Sequence, residues 1–436
     1  MSLTKDEYAV YLPAVNDIYA SEVTKKLNPE RPFPAGLTLK DLIFWEPNTL
    51  WYYPYFLHSI GLYSVDDLPN NAVTRRHRSN NTMLGDSGGF QIGKGSLKGL
   101  KTLGKRPLPA SDAVRAWQRS ENVRDWILGW LDTYSDYAMT IDMPMWAASS
   151  VGSNSPFHHC SVKQLIDMTV ENLHYIDRNT LGRTKWLNVV QGGQTEGDIE
   201  QWWNAVKWFR RGGWAMAGRA GYRGGLFYML STLLMMRDEN AFEPGQDWIH
   251  VLGVSTATWA VLLTTIQKAL RRTNPTLKIS FDSSSPFQTG GRYEDAALTP
   301  MFTNKESTWG IGNVRAPQSR LHVDQSDVLA FPDANSPLSK VLALDQLSVK
   351  GGIWDQRPFD SVSNTLLVNH NVWVYLDAFQ QANDLAEQRD VDRVPKAYLD
   401  CIALIEDLFS RSSWKSAILQ NRTLLDQVAP NRSAMV

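Results

Sequence analysis

One pattern constrains this chain most: a short β-rich run ending in Asp, Asn, Gln, Ser or Gly, then a segment of helical spacing, repeated eight times. The runs are "VYLPAVN", "LIFWEPN", "TMLGDSGG", "YAMTIDMP", "WLNVVQGG", "WAMAGR", "IHVLGVS" and "LKISFDSSS". Between them, Val162, Leu165, Ile166, Thr169, Leu173 and Ile176 recur three or four apart, as do Ile199, Trp202, Val206 and Phe209. Each set makes one apolar helical face. A parallel neighbour needs a crossover long enough to hold a helix, so repeated strand-then-helix units predict a parallel sheet. Eight units over about 280 residues match an α/β fold of the (β/α)8 TIM-barrel type, with an open doubly wound sheet as the alternative.

After Tyr293 the pattern loosens into a Pro-, Ser- and Asn-containing region, and helix-like stretches return near Val372 to Glu387 and Lys396 to Ser410. The expected organisation is a barrel over residues 1–293 and a mainly helical C-terminal appendage over 294–436, packed on the barrel. Two cysteines, Cys160 and Cys401, are too few for a disulfide framework or a Cys-rich zinc site. No apolar run is long enough to span a bilayer and no charged-then-apolar leader opens the chain, which predicts a cytoplasmic protein without a membrane partner. A formal net charge of −1 excludes a global positive field for nucleic acid, but the basic residues are uneven. Arg75, Arg76, His77 and Arg78 form one cluster, and Lys94, Lys98, Lys101, Lys105 and Arg106 form another.

In (β/α)8 barrels ligands sit at the C-terminal ends of the strands, where this sequence keeps Asp86, Asp142, Gln191, Gly218 and Asp282. Several carboxylates at one mouth suit chemistry at an acetal-like carbon: one attacks or stabilises positive charge while another moves a proton. Asp282 ends the apolar run "LKISF" and is followed by three serines and Pro286, a turn that also suits an N-cap. Asp86 precedes Ser87, Gly88 and Gly89, so backbone, carboxylate and hydroxyl are all available to a planar heterocycle. Asp142 adds an acceptor and Gln191 an amide that both donates and accepts; Gly192 and Gly218 add backbone with little bulk. Together they describe a pocket for a hydrogen-bonding base.

"GDSGGFQ", "TIDMP", "VVQGG", "GWAMAGRAG", "VLGVS" and "SFDSSSP", in this order and spacing, resemble the tRNA-guanine transglycosylase superfamily. Its (β/α)8 enzymes exchange a guanine in nucleic acid for a 7-deazaguanine. The resemblance covers roughly Tyr8 to Tyr293 and continues weakly to "NHNVWVY". It implies that Asp282 is the nucleophile that attacks C1′ and that Asp86 is the general acid/base for the departing and incoming bases. It also implies that Ser87, Asp142, Gln191, Gly192 and Gly218 read the purine, with Arg219 beside the 7-substituent. Phe90 and Leu252 would sandwich the base. Lys94, Lys98, Lys101, Lys105, Arg106, Arg223 and Arg292, with Arg219, would meet the nucleic-acid backbone.

The chain departs from the family in two places. The family's zinc site uses a Cys-x-Cys-x-x-Cys run and a downstream His; here only His370 remains, so no metal cofactor is expected. Where tRNA enzymes carry two arginines soon after the nucleophile, this chain has "PFQTGGRY", with Gln288 and Arg292. Retained carboxylates with altered zinc and tRNA contacts resemble the DNA-modifying branch, DpdA, of phages and bacterial genomic islands. The expected partners are DNA, through a single-stranded or flipped guanosine, and a 7-deazaguanine such as preQ0. The expected compartment is the cytoplasm of a bacterium or phage-infected host, and a homodimer would be in keeping with the family. Alternatives are a divergent enzyme acting on tRNA, a non-catalytic nucleic-acid-binding subunit, or an unrelated barrel glycosidase or nucleosidase. Asp86 and Asp282 argue against the binding subunit, and the base-reading set argues against a sugar hydrolase.

Overall fold

The computed structural model describes residues 3–28, 33–34, 36–65, 67, 69–98, 100, 103–192, 195–218, 224–292, 295–315, 330–347 and 359–429. Eight parallel strands form one sheet: β1 (Val10–Pro13), β2 (Tyr55–Ser59), β3 (Thr82–Asp86), β4 (Tyr137–Met139), β5 (Lys185–Gln191), β6 (Gly213–Ala217), β7 (Trp248–Val251) and β8 (Lys278–Ser283). From β2 onward each strand pairs with its sequence neighbour, and β1 pairs with β8. A bridge between Ala14 and Leu57, with Val15 N–H donating to Leu57 O at 2.9 Å, brings β1 to β2 and closes the ring. The fold is a (β/α)8 TIM barrel.

Alternation along the strands sorts side chains to the two faces. Leu12, Leu57, Leu84, Met139, Leu187, Val189, Ala215 and Trp248 fill the barrel interior. The Trp248 ring lies 4.5 Å from Tyr137, between centroids, near the strand starts, so the floor is plugged. Trp186 and Val190 belong instead to the larger core between sheet and helices. There the Trp202 indole donates to Val189 O at 2.9 Å, joining helix to strand. The predicted apolar faces are buried in the helices Val162–Asn179 and Glu196–Val206, whose starts are set by capping boxes at Ser161/Gln164 and Thr195/Asp198.

One predicted strand is wrong. "LIFWEPN" is not β2: Leu39–Leu42 forms a 3-10 turn, and Asn48 takes a positive φ of 64° after Pro47. Phe44 stacks on Trp51 at 5.0 Å and Trp45 on Phe56 at 4.7 Å, so this apolar run is an aromatic layer outside the barrel. The strand is "YFLHS", which starts just after Pro54.

Beyond the barrel the chain is not helical alone, because β9 (Ala296–Met301) and β10 (Gly310–Arg315) pair as an antiparallel ribbon. Helices Ser361–Glu387 and Lys396–Ser410 follow. Both pack on the helix Ala257–Leu270, which is why that helix is buried on nearly every side. In the 361–387 helix, Asn369 accepts from Trp51 Nε1 at 2.8 Å and donates to Tyr19 Oη and Leu42 O. Asn371 accepts from Leu298 N and donates to Ala296 O. These buried amides tie the helix to the first barrel unit on one side and to β9 on the other. Among the described residues no helix is long and apolar enough to cross a membrane.

Candidate active site

Strand register carries polar groups to one mouth. Ser59 at the end of β2 lies opposite Asp86 at the end of β3. The Ser59 hydroxyl acts to lower the Asp86 pKa, and Gly88 N–H donates to Asp86 Oδ1 at 3.2 Å. Burial still pushes the Asp86 carboxyl above the usual carboxylate range, and the nearby Asp282 adds in the same direction. Ser87 is buried and donates its hydroxyl to Thr140 O at 3.1 Å, so it fastens the Asp86 turn to the segment after β4.

Asp142, just beyond β4, is buried, and burial pushes its carboxyl up to about 7. Gln191 Nε2 donates to Asp142 Oδ2 and opposes that shift, while Asp86 adds to it. A Cβ at Gly89 would stand 2.8 Å from Asp142 Oδ1, so the glycine admits the carboxylate beside the Asp86 turn. Gly218 has φ +86°, and a Cβ there would meet Gln191 Oε1 at 2.8 Å. Gly192 N–H donates to Ala217 O at 2.8 Å, which aligns the ends of β5 and β6. Asp142, Gln191, Gly192 and Gly218 thus form one contiguous wall.

Asp282, in β8, accepts Gly253 N–H on Oδ1 at 2.8 Å. The buried His250 of β7 places Nε2 3.2 Å from the same oxygen. Oδ2 takes no hydrogen bond among the described residues. Leu252 is half-buried and donates its N–H to Met216 O, holding the loop after β7 against β6. Sequence reasoning missed His250, Ser59 and Gly253. The signal was parity: His250 precedes Leu252 by two residues in the run "IHVLGVS", and alternation along an extended run points both to one side.

At the rim Phe90 is 53% exposed, and its ring lies 5.6 Å from Trp146, which sequence reasoning also missed. Lys94 Nζ sits 4.5 Å over the Phe90 ring. Beyond it Leu97, Leu100 and Leu103 are buried and pin the segment, leaving Lys98, Lys105 and Arg106 exposed. Lys101, Arg219 and Arg223 lie outside the described residues, as does the side chain of Arg292 at the end of the π-helical turn Gln288–Arg292. The other basic cluster is at the opposite end of the barrel. Arg76 and Arg78 both pair with Asp136, which precedes β4, at 2.6 and 3.1 Å.

His370 does not fit a metal site. Its Nε2 must donate to Leu298 O at 3.0 Å, since a carbonyl only accepts, so Nδ1 accepts from Ser336 Oγ at 2.9 Å and no lone pair is spare. Burial lowers its pKa to about 4, and Cys160 and Cys401 are buried elsewhere. Among the described residues no three His, Cys, Asp or Glu side chains gather as metal ligands.

Fold and site together define a class: a parallel (β/α)8 barrel whose mouth holds three carboxylates in three different environments. Compared with known proteins, the chain matches no family model and no curated protein.

Proposed function

We propose that the chain is a guanine transglycosylase acting on DNA, exchanging guanine for a 7-deazaguanine base such as preQ0 through a covalent glycosyl–aspartate. The observation that carries this reading is the division of labour among Asp282, Asp86 and Asp142. Asp282 has one oxygen held by the Gly253 N–H, with His250 Nε2 3.2 Å away, and the other without a hydrogen bond among the described residues, which suits attack on C1′. The Oδ2–C1′ bond forms as C1′–N9 breaks, and the electron pair leaves with the base. Asp86, with its raised pKa, supplies the proton to departing guanine and takes one back from the incoming base, whose N9 then displaces Asp282. Two displacements retain the configuration at C1′. Asp142 and Gln191 present an acceptor and an amide to the purine edge, and exposed Phe90 offers a stacking face.

DNA is favoured over tRNA by the turn after the nucleophile. Exposed Gln288 directs its amide back to Ser284 Oγ at 2.7 Å rather than presenting a cation. The test supplies labelled guanine or preQ0 with single-stranded DNA, duplex DNA and tRNA, followed by mass spectrometry of the nucleosides. Label in DNA is expected. Label in tRNA alone would move the assignment to the tRNA reading, and label in neither would refute the transglycosylase.

A further inference from the structure

A polar column climbs the inside of the barrel from floor to mouth through β7 and β8. The buried Trp248 donates its indole N–H to Ser280 Oγ at 2.7 Å. Ser280 Oγ lies 2.9 Å from His250 Nδ1, and His250 Nε2 lies 3.2 Å from Asp282 Oδ1. Ser280 and His250 are fully buried and opposite each other in the β7–β8 register.

Hydrogen-bond chemistry orients this column. An indole only donates, so Ser280 Oγ accepts from Trp248. Among the described residues the sole acceptor within reach of the Ser280 hydroxyl hydrogen is His250 Nδ1. That places the imidazole proton on Nε2, facing Asp282. The opposite tautomer would set the Nε2 lone pair against a carboxylate oxygen. Nε2 makes no hydrogen bond among the described residues, because its 3.2 Å contact with Oδ1 falls outside hydrogen-bond geometry. A small turn of the carboxylate would bring Oδ1 onto the N–H line.

We infer that His250 is a positioning residue for Asp282: with Gly253 N–H it holds Oδ1, selects Oδ2 as the attacking oxygen, and stabilises the carboxylate released from the sugar. The inference rests on Asp282 being the nucleophile. In the covalent state Oδ1 is the carbonyl oxygen of the ester, to which a donor binds less strongly than to a carboxylate. When the incoming base attacks C1′, the C1′–Oδ2 bond breaks and its electron pair returns to Asp282, where the His250 donor gains strength. His250 keeps its proton throughout.

The role has a signature that a packing role lacks. Removing the donor in His250→Leu should slow release of the sugar about 10-fold, so turnover falls while the trapped protein–nucleic acid adduct accumulates. His250→Gln retains an N–H donor and should stay near wild type in both readouts. Adduct and turnover falling together in His250→Leu would overturn the inference, as would equal impairment of the two variants. A second measurement needs no activity: 15N spectra of the wild-type imidazoles should show His250 with Nδ1 bare and Nε2 protonated, shifting in Asp282→Asn. A proton on Nδ1, or no response to Asp282→Asn, would overturn it. Absence of exchange with every nucleic acid would refute the transglycosylase reading alone, leaving the spectra to decide the His250–Asp282 bond.

Discussion

Gln191 grips Asp142 with one end of its amide while the other end, Oε1, is buried without a partner among the described residues. A buried acceptor left open is costly unless something fills it. A purine edge with N–H groups would satisfy Oε1 and the Asp142 carboxylate together. Since burial pushes Asp142 up to about 7, binding a base whose N–H groups donate to the carboxylate must displace a proton. Guanine affinity should therefore rise with pH through about 7 and level off above it, and Asp142→Asn should remove the dependence. Calorimetric titration from pH 5.5 to 8.5, about a unit and a half on either side, checks this.

The same residue makes a stability prediction of opposite sense to the usual aspartate. Its folded pKa is raised, so between about 4 and about 7 the fold holds a proton that the unfolded chain has released. Asp142 should therefore lower stability as pH climbs through that window, and Asp142→Asn should flatten the pH profile there. Denaturant unfolding of the two proteins at about pH 5 and about pH 7.5, values within and above the window, gives the comparison.

Asp282→Asn should abolish both base exchange and the trapped adduct, on the order of 10³-fold or more, because an amide oxygen attacks C1′ poorly. Folding should survive, since the amide can still accept Gly253 N–H through its oxygen. Normal exchange by this variant would leave Asp282 with only its local contacts.

Gly218→Ala tests the wall rather than the chemistry. The backbone there has φ +86°, and the new Cβ would stand 2.8 Å from Gln191 Oε1. The strain should cost about 1–3 kcal/mol of stability. Displacing Gln191 should also weaken base binding more than the rate at saturation.

How much of this could be read from the chain follows the range of each interaction. Strand ends were legible because an apolar run stopped by Asp86, Asp142, Gln191 or Asp282 is a local pattern. The "LIFWEPN" run misled because alternation cannot distinguish a strand from an aromatic layer: Trp45 packs on Phe56 of the true β2 rather than replacing it. His250 and Ser280 lie 30 residues apart and meet only through the β7–β8 register, which no local window contains. The β9–β10 ribbon escaped notice for a related reason. Its burial comes from the helix Ser361–Glu387, whose Asn371 reaches Ala296 and Leu298 across more than seventy residues.

The His370 neighbourhood predicts that this histidine binds no metal. Both ring nitrogens are used, by Leu298 O and Ser336 Oγ, so elemental analysis should find no stoichiometric zinc and chelators should leave the melting temperature unchanged. His370→Leu should destabilise the fold by about 1–3 kcal/mol by leaving those two partners unsatisfied. One tightly held zinc per chain would require ligands other than this histidine.

The last prediction concerns how a strand reaches the mouth. A guanosine inside a duplex cannot present C1′ and its base edge together, so it must be single-stranded or flipped out at a cost of a few kcal/mol. Binding has to offset that cost. Lys98, Lys105 and Arg106 are exposed beyond the Asp86 turn while Leu97, Leu100 and Leu103 are buried in the core, an arrangement that leaves those three charges in solvent beside anchored neighbours. Lys98→Ala with Lys105→Ala should weaken DNA binding and lower the slope of log affinity against log salt by about 0.7 to 0.9 for each phosphate no longer neutralised. Exchange at saturating DNA should stay near wild type, because neither lysine belongs to the carboxylate set. A slope unchanged in the double variant would show that the strand passes elsewhere around the rim, whereas exchange lost at saturation would mean that the segment shapes the Asp86 turn itself.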